Sequence, residues 1–350
     1  MAELDRALAV LRDRDRPFFA THGPMAAEAL VALGFADRAE TWAHRYLTDE
    51  KLEPLPTGEP LPDDQTGGAL GAERERPRWI ARAGAELRRD SWQDVTRRWL
   101  PMLVPGASAD AAHGLIRTAH AVRSLGERET PERLHELAEA LGYWAATYEE
   151  LPGEPGRGEP GLASEAIARI PHVPEDEQIY QGAISDRLRD LVKLDGFADA
   201  VSALAPADDL AAFASDLARV SAHLYLANAP RARVIDFIHA VDGVYAVREL
   251  VPFLDAKGAR DLAFYGWQVV AALHASAGSA VPPVAFEAPD PREVPSLVER
   301  AVEVGGAHAI KFSQACLAEY AIRPDPVFHA ALEDMVVRME ELKEKVGLVI

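Results

Sequence analysis

The sequence has little of several features that mark other classes of protein. Among its 350 residues there is a single cysteine, Cys316, so no disulfide can form within the chain. A lone cysteine is typical of proteins in a reducing compartment, and we therefore expect a cytoplasmic protein. No apolar run is long enough to cross a membrane, and the first residues lack the basic start and apolar core of a signal peptide. We expect no association with a membrane.

Basic residues are also scarce, since 37 Lys and Arg residues stand against 56 Asp and Glu residues. The resulting net charge of −19 repels phosphate backbones, and we expect no nucleic-acid partner. Hydrophobic residues make up 48% of the chain, which is ample for a sizeable core. No pattern in the sequence indicates an oligomeric state.

Runs of β-branched residues are rare, whereas Ala, Leu, Glu and Arg dominate and apolar residues recur with helical spacing from end to end. This pattern predicts an all-α protein with a dozen or more helices and no confident pair of strands. We expect one large domain over residues 1–350, because no stretch has the composition of a flexible tether. Three loop-rich stretches, which in helical enzymes often form lids or walls of a site, cover residues 52–78, 151–160 and 277–295.

Some helix starts are marked by residues that commonly cap helices. We predict a helix over Gly23–Leu33, a second over Ala107–Leu125 and a third that begins at Pro131. A proline in the first turn of a helix supports such a start, since its missing N–H has no partner there. The residues placed to cap these three helices are, in chain order, Thr21, Ser108 or Asp110, and Thr130.

Several histidines lie in helical segments made of small and apolar residues. Burying that many imidazoles is costly unless each ring nitrogen finds a partner. One metal ion shared between inward-facing helices would satisfy several rings at once, and imidazole suits Fe, Zn, Cu or Ni. Alternatively, each ring is a core histidine bonded to a carbonyl or acts as an acid or base. The histidines of this kind are His22, His113, His120, His239, His274 and His308.

Lys311 follows His308 by three residues, so the two side chains share one face of a helix. A protonated lysine cannot bind a metal, and it would have to be neutral or carry a carboxyl group taken from CO2. The alternative is an ion pair with a helical carboxylate such as Glu319 or Glu303, which the residues by themselves favour slightly. Both interpretations stay open at this point.

Other chemistry has less support in the sequence. Arg117 lies beside the histidine stripe of its helix and could hold an anionic substrate, although a simple ion pair is commoner. Asp236 and Asp242 lie one turn either side of His239 and could orient that ring. No Rossmann fingerprint or phosphate-binding loop occurs, so no motif supports binding of NADPH.

In four of its histidine-containing segments, the chain resembles the questin oxidase-like family. The likeness extends from near the N-terminus to near the C-terminus, and the order of its motifs is more specific than any one of them. The segments that carry it are Thr21–Leu30, His113–Arg123, Phe237–Val241 and Ala307–Phe312.

The resemblance implies an all-helical oxygenase of secondary metabolism that uses non-haem iron and O2. Its substrate would be a small aromatic polyketide such as an anthraquinone, which is hydroxylated or cleaved. The family likeness places the metal on four histidines and a carboxylated lysine, and some members use NADPH. His120 departs from the family, which tends to have an aromatic hydroxyl there, and we group it with Lys311 and Arg117 as candidate catalytic residues. The candidate metal ligands are His22, His113, His239, His308 and Lys311.

Two other functions are compatible with the residues. One is an NADPH-dependent monooxygenase of Baeyer–Villiger type without a metal, in which the histidines act as acids and bases. The other is a helical binding protein without catalytic activity, whose histidines have structural roles. Metal analysis separates both of these from the iron oxygenase.

Overall fold

The computed structural model of the chain describes residues 2–16, 20–179, 182–231, 233–279 and 285–346. Within these ranges the protein is all-α, which confirms the predicted fold class. The helices are α1 (Ala2–Leu11), α2 (Gly23–Ala32), α3 (Ala36–Asp49), α4 (Thr66–Ala69), α5 (Arg76–Leu87), α6 (Trp92–Leu103), α7 (His113–Glu127), α8 (Pro131–Thr147), α9 (Ala163–Ala166), α10 (Ile184–Arg189), α11 (Phe197–Ser202), α12 (Leu210–Asn228), α13 (Val234–Leu250), α14 (Ala256–Ala277), α15 (Val294–Val304), α16 (Ala307–Ile322) and α17 (Pro326–Val346).

Two very short ladders add the β structure that the periodicity did not predict. β1 (Arg14–Asp15) pairs antiparallel with β2 (Glu53–Pro54), and β3 (Glu159–Gly161) pairs parallel with β4 (Leu204–Pro206). Strands of two or three residues are too short to show an alternating pattern. β2 and α4 lie in the loop-rich stretch 52–78.

No helix of the described residues is both long and apolar enough to cross a membrane.

The predicted helix starts have different outcomes. Thr130 caps α8 as predicted, because its side chain accepts a hydrogen bond from the backbone N–H of Arg133. The helix predicted over Gly23–Leu33 is confirmed as α2, which begins at Gly23 and ends at Ala32. Its predicted cap is wrong, because the N-cap is His22 and not Thr21, and the His22 side chain makes no capping bond. The second predicted start is wrong by six residues, because α7 begins at His113 and not at Ala107. A 3-10 turn with left-handed backbone precedes it and cannot continue a right-handed helix.

Four helices, α2, α7, α13 and α16, form a closed ring at the centre of the molecule, because each packs against two of the others. Nearly every residue of α13 and of the first ten positions of α16 is buried, as expected for helices that are apolar on all sides. The remaining long helices cover the outside of the ring. α1 and α3 lie against α2, α8 against α7, α12 and α14 against α13, and α17 against α16.

All four helices of the ring run in the same direction. His22 lies beside His113 and, two turns later, Glu28 lies beside His120, so α2 and α7 are parallel. The same argument applies to α7 and α13, which make contacts between His113 and His239 and between Arg123 and Tyr245. It also applies to α13 and α16, which make contacts between His239 and His308 and between Tyr245 and Gln314. The starts of the helices therefore meet at one end of the ring.

Candidate metal centre

The four histidines expected to bind a metal meet at this end of the ring. His22 is the N-cap of α2, His113 the first residue of α7, His308 the second residue of α16, and His239 lies near the start of α13. One ring nitrogen from each lies within 4.8 Å of those of the other three. Three of the residues are buried and His22 is partly buried. A single ion placed among them would be within reach of all four rings.

His113 lies between His22 and His239. Its Nε2 atom lies 2.7 Å from Nε2 of His22 and 3.0 Å from Nε2 of His239. Two nitrogens that bind one transition metal at about 2.1 Å, at right angles to each other, lie about 3 Å apart. The spacing of the Nε2 atoms therefore fits neighbouring ligands of one metal ion.

The other nitrogen of each ring decides what these contacts can be. Nδ1 of His113 lies against the backbone carbonyl of Asp110, and Nδ1 of His239 lies 2.7 Å from the carbonyl of Ile235. A carbonyl oxygen only accepts, so both Nδ1 atoms carry the hydrogen and both Nε2 atoms present a lone pair. Two lone pairs 3.0 Å apart repel each other and make no hydrogen bond. A cation between them removes this repulsion, and histidines that bind metals commonly donate their second N–H in this way.

The surroundings also keep these rings neutral. Burial lowers the pKa of His239 well below its usual value, and the neighbouring rings and Lys311 lower it further. Burial likewise lowers the pKa of His22 and of His113. A protonated ring that donates a hydrogen bond to its neighbour is therefore disfavoured. Neutral imidazole is the form that binds a metal.

A left-handed turn places the carbonyl of Asp110 behind His113. Asp110, Ala111 and Ala112 have φ angles of 44°, 56° and 66°, in a region where each residue other than glycine costs about 1–2 kcal/mol. The Asp110 carboxylate accepts a hydrogen bond from the Tyr143 hydroxyl, which holds the turn against α8. The sequence predicts Asp110 only as a possible helix cap, and the three left-handed residues include no glycine that would indicate the turn. Strain of this kind often lies beside functional sites.

Lys311 lies one turn along α16 from His308, and its side chain is fully buried. Its Nζ atom lies 3.6 Å from Oδ2 of Asp242, which is also buried. Burial raises the pKa of Asp242 to about 6, although the charge of Lys311 opposes this shift. The two carboxylates suggested by sequence are not its partner, since Glu319 pairs with Arg248 and Glu303 is exposed. Asp242, suggested as an aid to His239, faces Lys311 instead.

The remaining candidates lie outside the cluster of four. His120 lies two turns along α7, where Nδ1 is 2.7 Å from Oε2 of Glu28. Arg117 points toward α8 and donates to Glu136 at 2.7 Å and to Glu139 at 2.6 Å. With two buried carboxylates as partners, the Arg117 guanidinium ties α7 to α8.

Two histidines form a second contact that no pattern in the sequence predicts. Nε2 of His172 lies 2.9 Å from Nε2 of His274 on α14. His274 was expected to be an inward-facing histidine, whereas His172 lies in a loop without helical periodicity. Only the folded chain brings this pair together.

A cavity of about 500 Å³ is lined by Asp110, whose carbonyl contacts His113, although none of the four histidines lines it. Tyr143 and Tyr148 contribute aromatic surface to it, and Glu73 and Arg76 contribute charge. Burial and the charge of Asp110 raise the pKa of Glu73 to about 7. A larger cavity of about 730 Å³ lies between α6 and α14 and shares no lining residue with the four histidines.

Comparison with known proteins adds nothing to this geometry, because the chain matches no protein-family model and no curated protein.

Proposed function

We propose that His22, His113, His239 and His308 bind one transition-metal ion and that the protein is a non-haem metal oxygenase. The observation that carries the proposal is the pair of Nε2 lone pairs of His113 and His239, which face each other at 3.0 Å. Both rings are fixed in this orientation by backbone carbonyls. A helical binding protein without a metal would have no reason to keep this repulsive contact in its core.

The choice of metal follows from the ligands and from the family likeness. Four neutral imidazoles suit Fe, Zn, Cu or Ni, whereas Mg and Ca prefer oxygen ligands. The resemblance to the questin oxidase-like family selects iron among these metals and O2 as the oxidant. Bound iron would supply the redox chemistry that O2 requires.

We also propose a cytoplasmic location. Cys316, the lone cysteine, is a buried free thiol, which is typical of proteins in a reducing compartment.

We extend the proposal to Lys311, which would join the ligands in carboxylated form. Its Nζ atom is buried and, among the described residues, has no hydrogen-bond partner within range, since the ion pair with Asp242 spans 3.6 Å. A carbamate on Nζ would replace a cation beside the metal by an anion. This change lowers the electrostatic cost of a metal ion in surroundings of low dielectric constant.

The substrate proposed from the family likeness is a small aromatic polyketide, which is hydroxylated or cleaved. The cavity beside Asp110 has a size typical of ligand sites, and Tyr143 and Tyr148 offer flat surfaces to a ring system. Cleavage that places both atoms of O2 in the product needs no further reductant, whereas hydroxylation would also take two electrons from a donor. We do not include NADPH as that donor, because no nucleotide motif supports it.

The test combines metal analysis with O2 consumption. We expect the purified protein to contain about one equivalent of iron, or to take it up under anaerobic conditions. Loaded protein should consume O2 with a hydroxyanthraquinone substrate, and His239→Ala should lose both iron and O2 consumption. His274→Ala is the matched control, since it removes a buried imidazole outside the cluster. Full iron content in His239→Ala would overturn the proposal.

A further inference from the structure

A second group of side chains with metal-binding chemistry lies between α8 and the turn that precedes β1. One ligand atom each from Asp13, His135 and Glu139 lies within 4.8 Å of the other two. His135 and Glu139 are four residues apart on α8 and therefore share one face of that helix. Asp13 reaches them from 122 residues away in the chain. We call these three residues the Asp13 cluster.

Two carboxylates of the Asp13 cluster face the same imidazole nitrogen. Nε2 of His135 lies 2.9 Å from Oδ1 of Asp13 and 3.0 Å from Oε1 of Glu139. A ring nitrogen carries at most one hydrogen, so it can donate one linear hydrogen bond and not two. Zn²⁺ binds histidine nitrogen and carboxylate oxygen at about 2.0–2.2 Å, and two tetrahedral ligands at that distance lie about 3.4 Å apart. Both contacts are therefore within about 0.5 Å of the spacing that zinc requires.

The second oxygen of each carboxylate is held by an arginine. Nε of Arg12 donates to Oδ2 of Asp13 at 3.2 Å, and Nη2 of Arg117 donates to Oε2 of Glu139 at 2.6 Å. Both carboxylates are thus turned so that the other oxygen faces His135. Carboxylates that bind a metal are commonly oriented by an outer hydrogen bond of this kind. The Asp13 cluster therefore offers oriented ligands and not only negative charge.

The backbone of Asp13 is fixed as well. Its N–H donates to Oε1 of Glu139 at 2.7 Å, and its carbonyl accepts from the N–H of Leu55 at 2.8 Å. The side chain of Glu139 is only 1% exposed, whereas that of Asp13 is 53% exposed. The Asp13 cluster thus combines a buried ligand with an open side, from which an ion and a water ligand can enter.

The charges of the Asp13 cluster favour a cation at this place. Burial opposes the ionisation of Glu139, but its hydrogen bond with His135 and the charge of Arg117 lower the pKa of this carboxyl below its usual value. Burial likewise opposes protonation of His135, but the bond and charge of Glu139 raise the pKa of this ring. Without a metal, a proton on Nε2 therefore lies between the two carboxylates. A metal ion that binds histidine takes the place of such a proton.

We propose that Asp13, His135 and Glu139 form a binding site for one Zn²⁺ ion, with a water molecule as the fourth ligand. The bound ion would link the turn after α1 to α8. Because an ion that binds only the folded chain raises its stability, zinc should raise the melting temperature of the protein. The inference goes beyond the proposed function, since the Asp13 cluster shares no residue with the four-histidine centre.

The experiment counts zinc ions by competition with a chromophoric chelator, on protein first supplied with iron to fill the four-histidine centre. We expect the wild type to bind one more equivalent of zinc than His135→Gln. Asp13→Asn should weaken this equivalent by about 100-fold through loss of a charged ligand, and asparagine tolerates the left-handed backbone at this position. The affinity of the wild type should fall as the pH is lowered, because zinc competes with the proton on His135.

His44→Gln is the matched control, because His44 is an exposed histidine on α3 outside the Asp13 cluster. It should bind as much zinc as the wild type. The same zinc addition should raise the melting temperature of the wild type and of His44→Gln, and leave that of His135→Gln unchanged.

Equal zinc binding by the wild type, His135→Gln and Asp13→Asn would overturn the proposal, and the Asp13 cluster would then be only an ion pair between a protonated ring and two carboxylates. Where His135→Gln does not fold, Asp13→Asn decides, since its side chain is half exposed. Protein that binds iron but shows no difference in zinc would refute only this inference. Protein that shows the difference in zinc but takes up no iron would refute only the proposed function.

Discussion

Among the described residues, imidazole nitrogens meet at hydrogen-bond distance in two places, the cluster of four histidines and the pair of His172 and His274. The two places differ in the acceptors that the second nitrogen of each ring faces. In the pair, Nε2 atoms of His172 and His274 are 2.9 Å apart, and Nδ1 of His274 has no partner among the described residues. His274 can therefore carry its hydrogen on Nε2 and donate it to His172. In the cluster, backbone carbonyls hold the hydrogens of His113 and His239 on Nδ1, and no hydrogen remains for the contact.

This difference shows how a metal centre can be distinguished from a histidine hydrogen bond without a bound ion. The distance between the rings is nearly the same in both places and decides nothing. The decisive feature is the acceptor behind each ring, because it fixes the tautomer. At His113 the chain forms three successive left-handed residues to place that acceptor.

The largest expected effect is a loss of metal affinity that follows substitution in the cluster but not in the pair. His239→Ala should weaken binding of Co²⁺ or Fe²⁺ by more than about 100-fold, since the loss of a ligand exceeds the 10–100-fold effect of an outer partner. His274→Ala should leave the affinity and the stoichiometry unchanged. Both are measured by calorimetric or spectroscopic titration. Equal losses in the two variants would mean that burial of imidazole, and not ligation, controls the uptake of metal.

A smaller effect concerns Lys311 in the cluster. Lys311→Met should lower metal affinity by about 10- to 100-fold, because the variant cannot form the carbamate. Wild-type protein loaded in ¹³C-labelled bicarbonate should show a carbamate resonance that the variant lacks. A rise in affinity in Lys311→Met would show instead that Lys311 is an ammonium that repels the ion.

The two places should respond alike to acid, because both bury neutral rings. Burial lowers the pKa of His239 well below its usual value and that of His274 to about 3, whereas an unfolded histidine titrates near 6.5. Below pH 6.5 the unfolded chain binds protons that the folded chain does not, so the metal-free protein loses stability as the pH falls. At pH values well below 6.5, each ring contributes about 1.4 kcal/mol per pH unit to this loss.

Urea unfolding of the metal-free protein at several pH values between 6.5 and 5 measures how steeply the free energy of unfolding falls with pH. His239→Ala and His274→Ala should each make this slope shallower by about 1 kcal/mol per pH unit. A slope that stays the same in either variant would show that the ring concerned is protonated in the folded protein.

The smallest effect concerns the left-handed turn that supplies the acceptor of His113. Ala111→Gly relieves a strain of about 1–2 kcal/mol, which offsets the usual cost of glycine. Ala109→Gly is the matched control, since Ala109 is equally buried and lies outside the left-handed residues. Ala111→Gly should therefore be the more stable variant by about 1 kcal/mol in thermal or urea unfolding. The opposite order would indicate that the turn is not strained.

The fold class and the long helices can be predicted from the sequence. Apolar spacing marks helices clearly, and Thr130 with Pro131 identifies the start of α8 because capping chemistry is local. The start of α7 was missed because Asp110, Ala111 and Ala112 carry no signal for left-handed backbone, which usually requires glycine. The short strands were missed because their pairing partners lie far away in the chain.

At the candidate site, the sequence predicts which residues face inward, but it does not predict which residues they contact. The inward settings of His22, His113, His239 and His308 were readable from the small and apolar residues around them. The contact of Lys311 with Asp242 cannot be predicted in this way, because no local pattern relates α13 to α16. The pair of His172 and His274 was hidden for the same reason, because a loop histidine has no periodic environment.

Anomalous X-ray diffraction from crystals of the purified protein, recorded on both sides of the iron absorption edge, tests the central claim most directly. The account predicts one strong peak among His22, His113, His239 and His308, with both Nε2 atoms of His113 and His239 pointing at it. No peak should lie between His172 and His274. Crystals of protein supplied with iron that show no peak at the cluster, or an equal peak at the pair, would contradict the account.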